Sequence, residues 1–452
     1  MRKLFLLILI FSILSFSAVI SAFGEDGQSN QTQSSESKSS EGGPSFGFGF
    51  SFGTVVINGV TYFQIKGQPD FSIGLFGMGL DVNLEFDGNW KLRESEWNSW
   101  QAILSKIRYI RWAYKGAKPL YIKIGQIEDA TIGNGFIMWN YANNLNYPNM
   151  KKLGIAFDLD LGYGGFESFV DNIFDVDIIG LRGFARPLYG TDIFLLKELE
   201  VGASIVGDTD PFNPAPTNSP YDFSDSELSK GREIYIAGAD LGLPIINLSP
   251  IFDLKWFADF AYIFNKGTGE STGFKGTIIS LIPYRFEVRY LQPKFMPSFF
   301  DTLYDSERYV MLSPSNALSK YDLLDNITNS YAGFLFTTGV SFDTNISLLV
   351  TIDDSFDDTS YPHMVLKFHI DRALTKIFNF DFVYDRKNIK EWKDIYTTES
   401  TDAVINAKLS YKVSEMVNIV VLYTRSFDWF EENGQMVLKP LESTSVSTEI
   451  QF

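Results

Sequence analysis

From Leu80 to Asp87 apolar and polar residues alternate without a break: Leu80, Val82, Leu84 and Phe86 stand between Asp81, Asn83, Glu85 and Asp87. The same beat returns where Leu254, Trp256, Ala258, Phe260, Tyr262 and Phe264 interleave with Asp253, Lys255, Phe257 and Asp259. It returns again in Tyr284, Phe286, Val288 and Tyr290, between Arg285, Glu287 and Arg289, and in the run Phe334, Phe336, Thr338, Val340, Phe342. Three more stretches follow: Met364 to Ile370, set against His363, Lys367, His369 and Asp371; Phe378 to Tyr384, set against Asn379, Asp381 and Asp385; and Ile405 to Val413, set against Asn406, Lys408, Ser410 and Lys412. Successive side chains of an extended strand point to opposite faces, so a period of two predicts strands with one oily and one wet face.

The two ends of this region carry the same signature. Phe46, Phe48, Phe50 and Phe52 alternate with Gly47, Gly49, Ser51 and Gly53, and the chain finishes STSVSTEIQF. There Val446, Thr448, Ile450 and Phe452 share a face opposite Ser445, Ser447, Glu449 and Gln451. A terminal strand frays unless something pairs with it, so this one is expected to pair with the first.

Turn chemistry separates the strands. Asn58-Gly59 is a hairpin signal, and 67–70, 87–89 and 115–119 read as short connections. Longer polar segments at 207–232, 292–329 and 386–401 suggest a sheet with two unlike ends. One stretch departs from the beat. Trp97, Trp100, Ile103, Leu104 and Ile107 repeat at helical spacing and predict a short helix before a strand at 108–114.

Composition then decides what this sheet faces. Arg2 and Lys3 precede an apolar run from Leu4 to Ile20 that ends in small residues, as a cleaved secretory signal does. Residues 1–24 are expected to be that signal, 25–45 a disordered Ser-, Gln- and Glu-rich tether, and 46–452 one folded unit. Beyond the signal no apolar run is long enough for a membrane helix. Zero cysteines exclude disulfides and thiolate chemistry, and a formal charge of −17 argues against nucleic acid. Aromatics reach 16%, with 41 Phe. Oily faces this aromatic, over a chain with no evident domain linker, fit a single closed sheet with lipid outside and water inside. An open edge in hydrocarbon would leave backbone groups unpaired at several kcal/mol each, so closure is required.

These features resemble bacterial outer-membrane β-barrels of the porin type, most specifically in the alternating last strand that ends on Phe452. The resemblance implies an all-β fold: a closed antiparallel transmembrane barrel of about 16–18 strands around an aqueous lumen. It also implies placement in the outer membrane with both termini periplasmic, contact with its lipid, recognition of the last strand by the barrel-assembly machinery, and the homotrimer common among porins. No cofactor or metal is expected.

The polar partners in each strand are the expected pore lining: Asp81, Glu85, Lys123, Asp158, Asp160, Asp253, Lys255, Asp259, Arg285, Glu287, Arg289, Lys367, Asp381, Asp385, Lys408 and Lys412. Fixed charges of this kind select ions, and a carboxylate surplus would favour cations. Residues 128–152 are rich in Asn and aromatics. Trp139, Asn140, Tyr141, Asn143 and Asn144 there are candidates for a loop that folds into the lumen, the alternative being a loop packed over its mouth. The basic residues Lys106, Arg108, Arg111, Lys115, Lys118 and Lys123 would either face an acidic wall or meet lipid headgroups. His363 and His369 lie on one strand about 20 Å apart, too far to share an ion, so catalysis is not expected. The expected function is passive diffusion of small hydrophilic solutes or ions. The alternatives are a substrate-specific transporter for sugars or hydrophobic compounds and a non-conducting surface barrel.

Overall fold

In a computed structural model the described residues are 44–57, 60–144, 151–213, 232–313, 316–342, 345–357, 359–360, 362–396, 403–414, 417–432 and 435–451. The expected signal, most of the tether and Phe452 lie outside them.

Strand Ser45–Ile57 pairs antiparallel with Val60–Ile73, and the third strand is broken at Asp81 into Phe76–Leu80 and Val82–Phe86. Ile107–Trp112, Leu120–Gly125, Gly154–Asp160, Gly164–Val170, Ile178–Ala185 and Glu200–Asp208 follow. Ile234–Leu248, Phe252–Ile263, Thr268–Ile278 and Ile282–Leu291 continue the wall. Tyr331–Phe342, Ile346–Ser355, His363–Ile370, Phe378–Arg386, Ala403–Lys412, Val417–Glu432 and Gln435–Gln451 complete it. The expected helix is Trp100–Leu104, capped by the Ser99 hydroxyl, which accepts from the Ala102 amide at 3.1 Å.

The result is a closed antiparallel barrel of 20 strands, larger than the 16–18 expected. Two expectations about its seam meet in one ladder. Gly49 to Thr54 pair with Gln451 to Val446, so the last strand closes on the first. On the outer face Phe52 stands opposite Thr448, and in the backbone register Phe50 pairs with Ile450. The register carries the two faces around the whole circuit. The row Glu449, Ser51, Lys66, Asn83 points inward, and the row Thr448, Phe52, Ile65, Leu84 points outward. Outward aromatics such as Phe260 and Phe286 are 48% and 44% exposed, which in water would be an aggregation surface and in lipid is a contact face.

The ends of the barrel differ as the turn pattern suggests. One end, which bears the first and last strands' termini, has mostly brief turns such as 161–163, 249–251 and 279–281. The other carries the long connections 87–106, 126–153, 209–233, 292–330 and 387–402. Part of the last of these folds over the outer wall, where Tyr384 Oη donates to the Ile395 carbonyl at 2.6 Å and Ile389 packs with Met364, Tyr384 and Ala403.

Why did sequence reading undercount the strands? The inward positions of the wall from Gly154 to Asp208 mix charges such as Asp158, Glu167 and Arg182 with the small or apolar Ala156, Phe169, Ile178, Gly180 and Val206. The oily-and-wet beat is lost there because the lumen beside these strands is not wet, as the next subsection describes.

Closure leaves a test at the seam. A Cβ on Gly53 would sit 2.0 Å from the Val446 carbonyl oxygen, nearer than any real contact. Gly53→Val is expected to open the ladder that joins the first and last strands. Heat-modifiable gel migration reads this directly: the fast-migrating folded band should be lost, while Gly183→Val, at a position open to space, should keep it.

Candidate functional site

The connection after Leu120–Gly125 turns inward. Ala130 and Tyr141 exchange backbone hydrogen bonds of 2.8 and 2.9 Å, and Ile132 donates to Met138 O at 3.2 Å, making a narrow hairpin. Its tip is tight because Gly133 and Gly135 take φ of +59° and +88°, a region that glycine enters without steric cost. The tip then touches the wall on several sides. The Gly133 amide donates to Glu167 at 2.9 Å, Asn134 Nδ2 donates to Asp259 at 3.1 Å, and Lys275 Nζ donates to Asn134 Oδ1 at 3.0 Å. Asp259 lies four residues from its strand's end at Ile263, about 13 Å along the strand. The hairpin is therefore inside the barrel and not over its mouth.

A second connection, 292–330, joins it. Met138 and Phe300 form a parallel bridge, with Trp139 N donating to Phe300 O at 3.0 Å and Phe300 N to Ile137 O at 3.1 Å. Ser298 N donates to Phe136 O at 2.8 Å, and the Phe136 and Phe295 rings stack 5.6 Å apart. Together the two loops form a plug with an apolar heart. Ile132, Phe136, Ile137, Met138, Phe295, Phe299 and Phe300 pack against inward wall residues Phe169, Ile178, Val206, Ile236, Ala261 and Ile263.

Buried charge fastens the plug at the long-loop end. Arg308, fully buried, donates to Asp208 from Nε at 3.0 Å and Nη2 at 2.8 Å, to Asp177 at 3.1 Å and to the Asp210 carbonyl at 2.8 Å. Tyr304 Oη donates to Asp208 at 2.7 Å. Lys152 bridges Asp171 at 3.1 Å and Asp305 at 2.9 Å, and Tyr141 Oη donates to Asp305 at 3.0 Å. Burial acts to lower the Arg308 guanidinium, but Asp208 and Asp177 outweigh it and raise it well above its usual value. Burial also acts to lower Lys152, and Asp305 and Asp171 raise it on balance. Burial, with Asp305 and Asp171 beside it, pushes the Tyr141 phenol well up. Burial lifts Asp177 to about 7 against the pull of Arg308. On the opposite flank Lys387 reaches Asp301 at 3.0 Å and Glu307 at 2.6 Å.

All 16 charged positions expected to line the pore fall on the inward register: Asp81, Glu85, Lys123, Asp158, Asp160, Asp253, Lys255, Asp259, Arg285, Glu287, Arg289, Lys367, Asp381, Asp385, Lys408 and Lys412. Many are committed to partners. Asp81 pairs with Lys66 at 3.0 Å, Glu85 with Arg93 at 2.9 Å, and Glu287 lies buried between Arg285 and Arg289 at 2.5 and 2.6 Å. Asp160 meets Arg186 and Lys118, both at 2.7 Å. His363 sits between Asp353 and Asp385 at 2.9 and 2.8 Å, and His369 beside Asp381 at 2.6 Å. Of the basic cluster, Arg111 and Lys123 face each other across inward positions, Arg108 pairs with Asp70, and Lys106 with Glu96, so these do not reach outward to headgroups.

The loop candidates divide. Trp139 and Asn140 join the second loop through their backbones, Thr302 Oγ1 donating to Asn140 O at 2.9 Å. Asn143 is an internal strut, accepting from the Ile127 amide and donating to the Asp171 carbonyl, each at 2.8 Å. Asn144 Nδ2 reaches Glu128 at 3.4 Å. The side chain that spans to the wall is Asn134, which the sequence did not single out; the 292–329 segment was legible as a long connection but not as part of the plug. The aromatic density of Phe295, Phe299, Phe300 and Tyr304 was the available signal, since such side chains are not left in water. On the C-terminal strand, Val446 and Thr448 face outward in the seam, and Ile450 occupies the same register.

No family model matches the chain, and no curated protein matches it. Solved structures to which it is similar are outer-membrane β-barrel proteins. A ferric enterobactin receptor is 8% identical over 91% of this chain and 82% of its own, with a TM-score of 0.38. A siderophore receptor from Acinetobacter baumannii is 10% identical over 91% and 81%, with a TM-score of 0.36. The Pseudomonas aeruginosa protein OccK5 is 10% identical over 90% and 98%, with a TM-score of 0.30.

Two outcomes are expected of the plug's fastening. Arg308→Met leaves Asp208 buried without its cation, a loss of about 3–5 kcal/mol. Amide hydrogen exchange at residues 295–304 should then quicken while wall strands stay protected; unchanged exchange would refute the role of this residue. The second outcome concerns pH. Asp177 rises from 3.8 to about 7 on folding, so the native state holds the extra proton. The stability that this group contributes is full below about pH 3.8 and is lost as the pH rises through about 7. Exchange at the same amides should therefore quicken, after correction for intrinsic rate, between about pH 4 and 7, and Asp177→Asn should flatten that slope.

Proposed function

We propose that this chain is an outer-membrane channel that passes small hydrophilic solutes passively and selects among them through a lumen narrowed by its own loops. The observation that carries this reading is the plug tip deep in the bore, held by Asn134 to Asp259 and Lys275 at 3.1 and 3.0 Å. A barrel of 20 strands without such a plug would enclose a wide aqueous channel. With it, passage is confined to the charged side of the lumen, along strands whose inward residues include Lys367, Asp381, Lys408 and Lys412. This favours a selective channel over the open diffusion pore expected from sequence. Selectivity is assigned to the plug and local charge rather than to an acidic wall preferring cations. The support for this is that inward carboxylates such as Asp81, Glu85, Asp240 and Glu287 are each salt-bridged.

The rest of the reading follows from the barrel's chemistry. The last strand is the element offered to the assembly machinery, and a trimer remains compatible with the oily outer wall. No catalytic role is assigned to His363 or His369, each of which is already engaged with carboxylates.

Planar-bilayer recording tests the proposal. Replacing residues 132–139 by a short glycine linker should raise single-channel conductance several-fold. If the shortened protein conducts no better than the intact chain, the loops do not restrict the path and this function is wrong.

A further inference from the structure

Three inward positions on neighbouring strands carry basic side chains side by side. Lys255 stands directly opposite Lys275, and Lys275 directly opposite Arg285. Residues so placed have Cβ atoms about 5 Å apart, and like charges there destabilise a sheet. Wall and plug relieve them only in part, Glu200 lying near enough to Lys255 to act on it electrostatically. Arg285 pairs with Glu287 at 2.5 Å, but neither lysine has a carboxylate within salt-bridge distance among the described residues. Lys275 Nζ instead donates to the neutral Asn134 amide oxygen at 3.0 Å, and the Lys255 ammonium makes no hydrogen bond among the described residues. The nearby carboxylates are engaged elsewhere. Asp253 accepts from the Thr277 amide at 2.7 Å, and Asp259 from Asn134 and Ser271 at 3.1 and 3.3 Å. Glu200 accepts from Arg182 and Arg186 at 2.9 and 2.7 Å.

The row is nonetheless built into place. Lys275 and Arg285 lie over the Phe257 ring at 5.4 and 4.8 Å from its centroid, which holds both heads toward one spot. Lys255 lies against Gly242, where a Cβ would meet its Cε at 2.6 Å. All three side chains are half-buried, on the side of the plug tip toward the strand termini. Basic side chains held together in a partly desolvated channel attract an oxyanion strongly, because the anion offsets their mutual repulsion.

We propose that Lys255, Lys275 and Arg285, with the Asn134 amide at their edge, form a binding site for the oxyanion group of a solute, a carboxylate or a phosphate. This rests on the selective-channel reading above and names its substrate class: small hydrophilic anions. The charge surplus of the chain does not set the preference. The local row does.

The test uses the full chain in detergent and in planar bilayers, with inorganic phosphate and acetate as probes. Isothermal titration measures binding, and block of chloride current measures occupancy in the path. Lys255→Gln/Lys275→Gln, which also removes the like-charge repulsion, should weaken binding of the preferred probe by about tenfold or more, the worth of one hydrogen bond to a charged group. It should also shift the reversal potential toward cations. Lys255→Arg/Lys275→Arg should retain binding, and Lys367→Gln, a lumenal lysine elsewhere, should leave it unchanged. Whichever probe binds tells which oxyanion the site takes. Binding of neither probe, or equal binding in the wild type and the glutamine variant, overturns the site. Lysine-dependent binding in a protein that conducts nothing upholds the site and defeats the channel.

Discussion

A backbone amide in hydrocarbon must find a partner, and this requirement organises the whole chain. It forbids an edge, so the strand ending at Gln451 must lie against the one beginning at Ser45. It forbids bulk at the join, so Gly53 faces the Val446 carbonyl with no room for a side chain. It also separates the side chains into two populations, because a pleated wall between lipid and lumen exposes every second residue to each.

Inside, a second constraint takes over. A circle of 20 strands is too wide to be filled by the wall's own side chains, and two loops occupy the excess. Their apolar heart dries one side of the lumen, and the inward wall positions there are accordingly Phe169, Val206 and Ile263 in place of charges. The buried ions that fasten the loops are best understood as determinants of position. Burying Arg308 and Asp208 is costly unless every donor and acceptor is met, and Arg308 meets Asp208, Asp177 and the Asp210 carbonyl together. Few other seatings would satisfy all of them.

How much of this could be read from sequence follows from the same physics. Where lipid lies outside and water inside, alternation is strict, and the strands at 253–264, 284–290 and 405–413 were legible with their inward residues. Where the plug dries the lumen, alternation fails, and the strands Gly164–Val170, Ile178–Ala185 and Glu200–Asp208 read as undistinguished apolar and glycine-rich chain, while Gly154–Asp160 kept Asp158 and Asp160 as its legible inward residues. That the first loop folds back was legible because Trp139 and Tyr141 had to be covered, but cover inside the lumen and cover over its mouth read alike. The pairing of Arg308 with Asp208, 100 residues apart, was not, since charge carries no record of its distant partner. The row of Lys255, Lys275 and Arg285 was visible as three residues but not as neighbours, because adjacency depends on register.

The plug's reach sets an order of assembly. Asn134 contacts residues 125 and 141 positions further along the chain, at Asp259 and Lys275, and Arg308 contacts Asp177, 131 positions back. Neither loop has its sockets until the wall between Leu120 and Leu291 stands as a curved sheet. The second loop also lies beside the last two strands, Tyr304–Glu307 near Val417–Glu432 and Tyr309–Ser313 near Gln435–Gln451, so the stopper's seat is complete only once those strands have joined the wall.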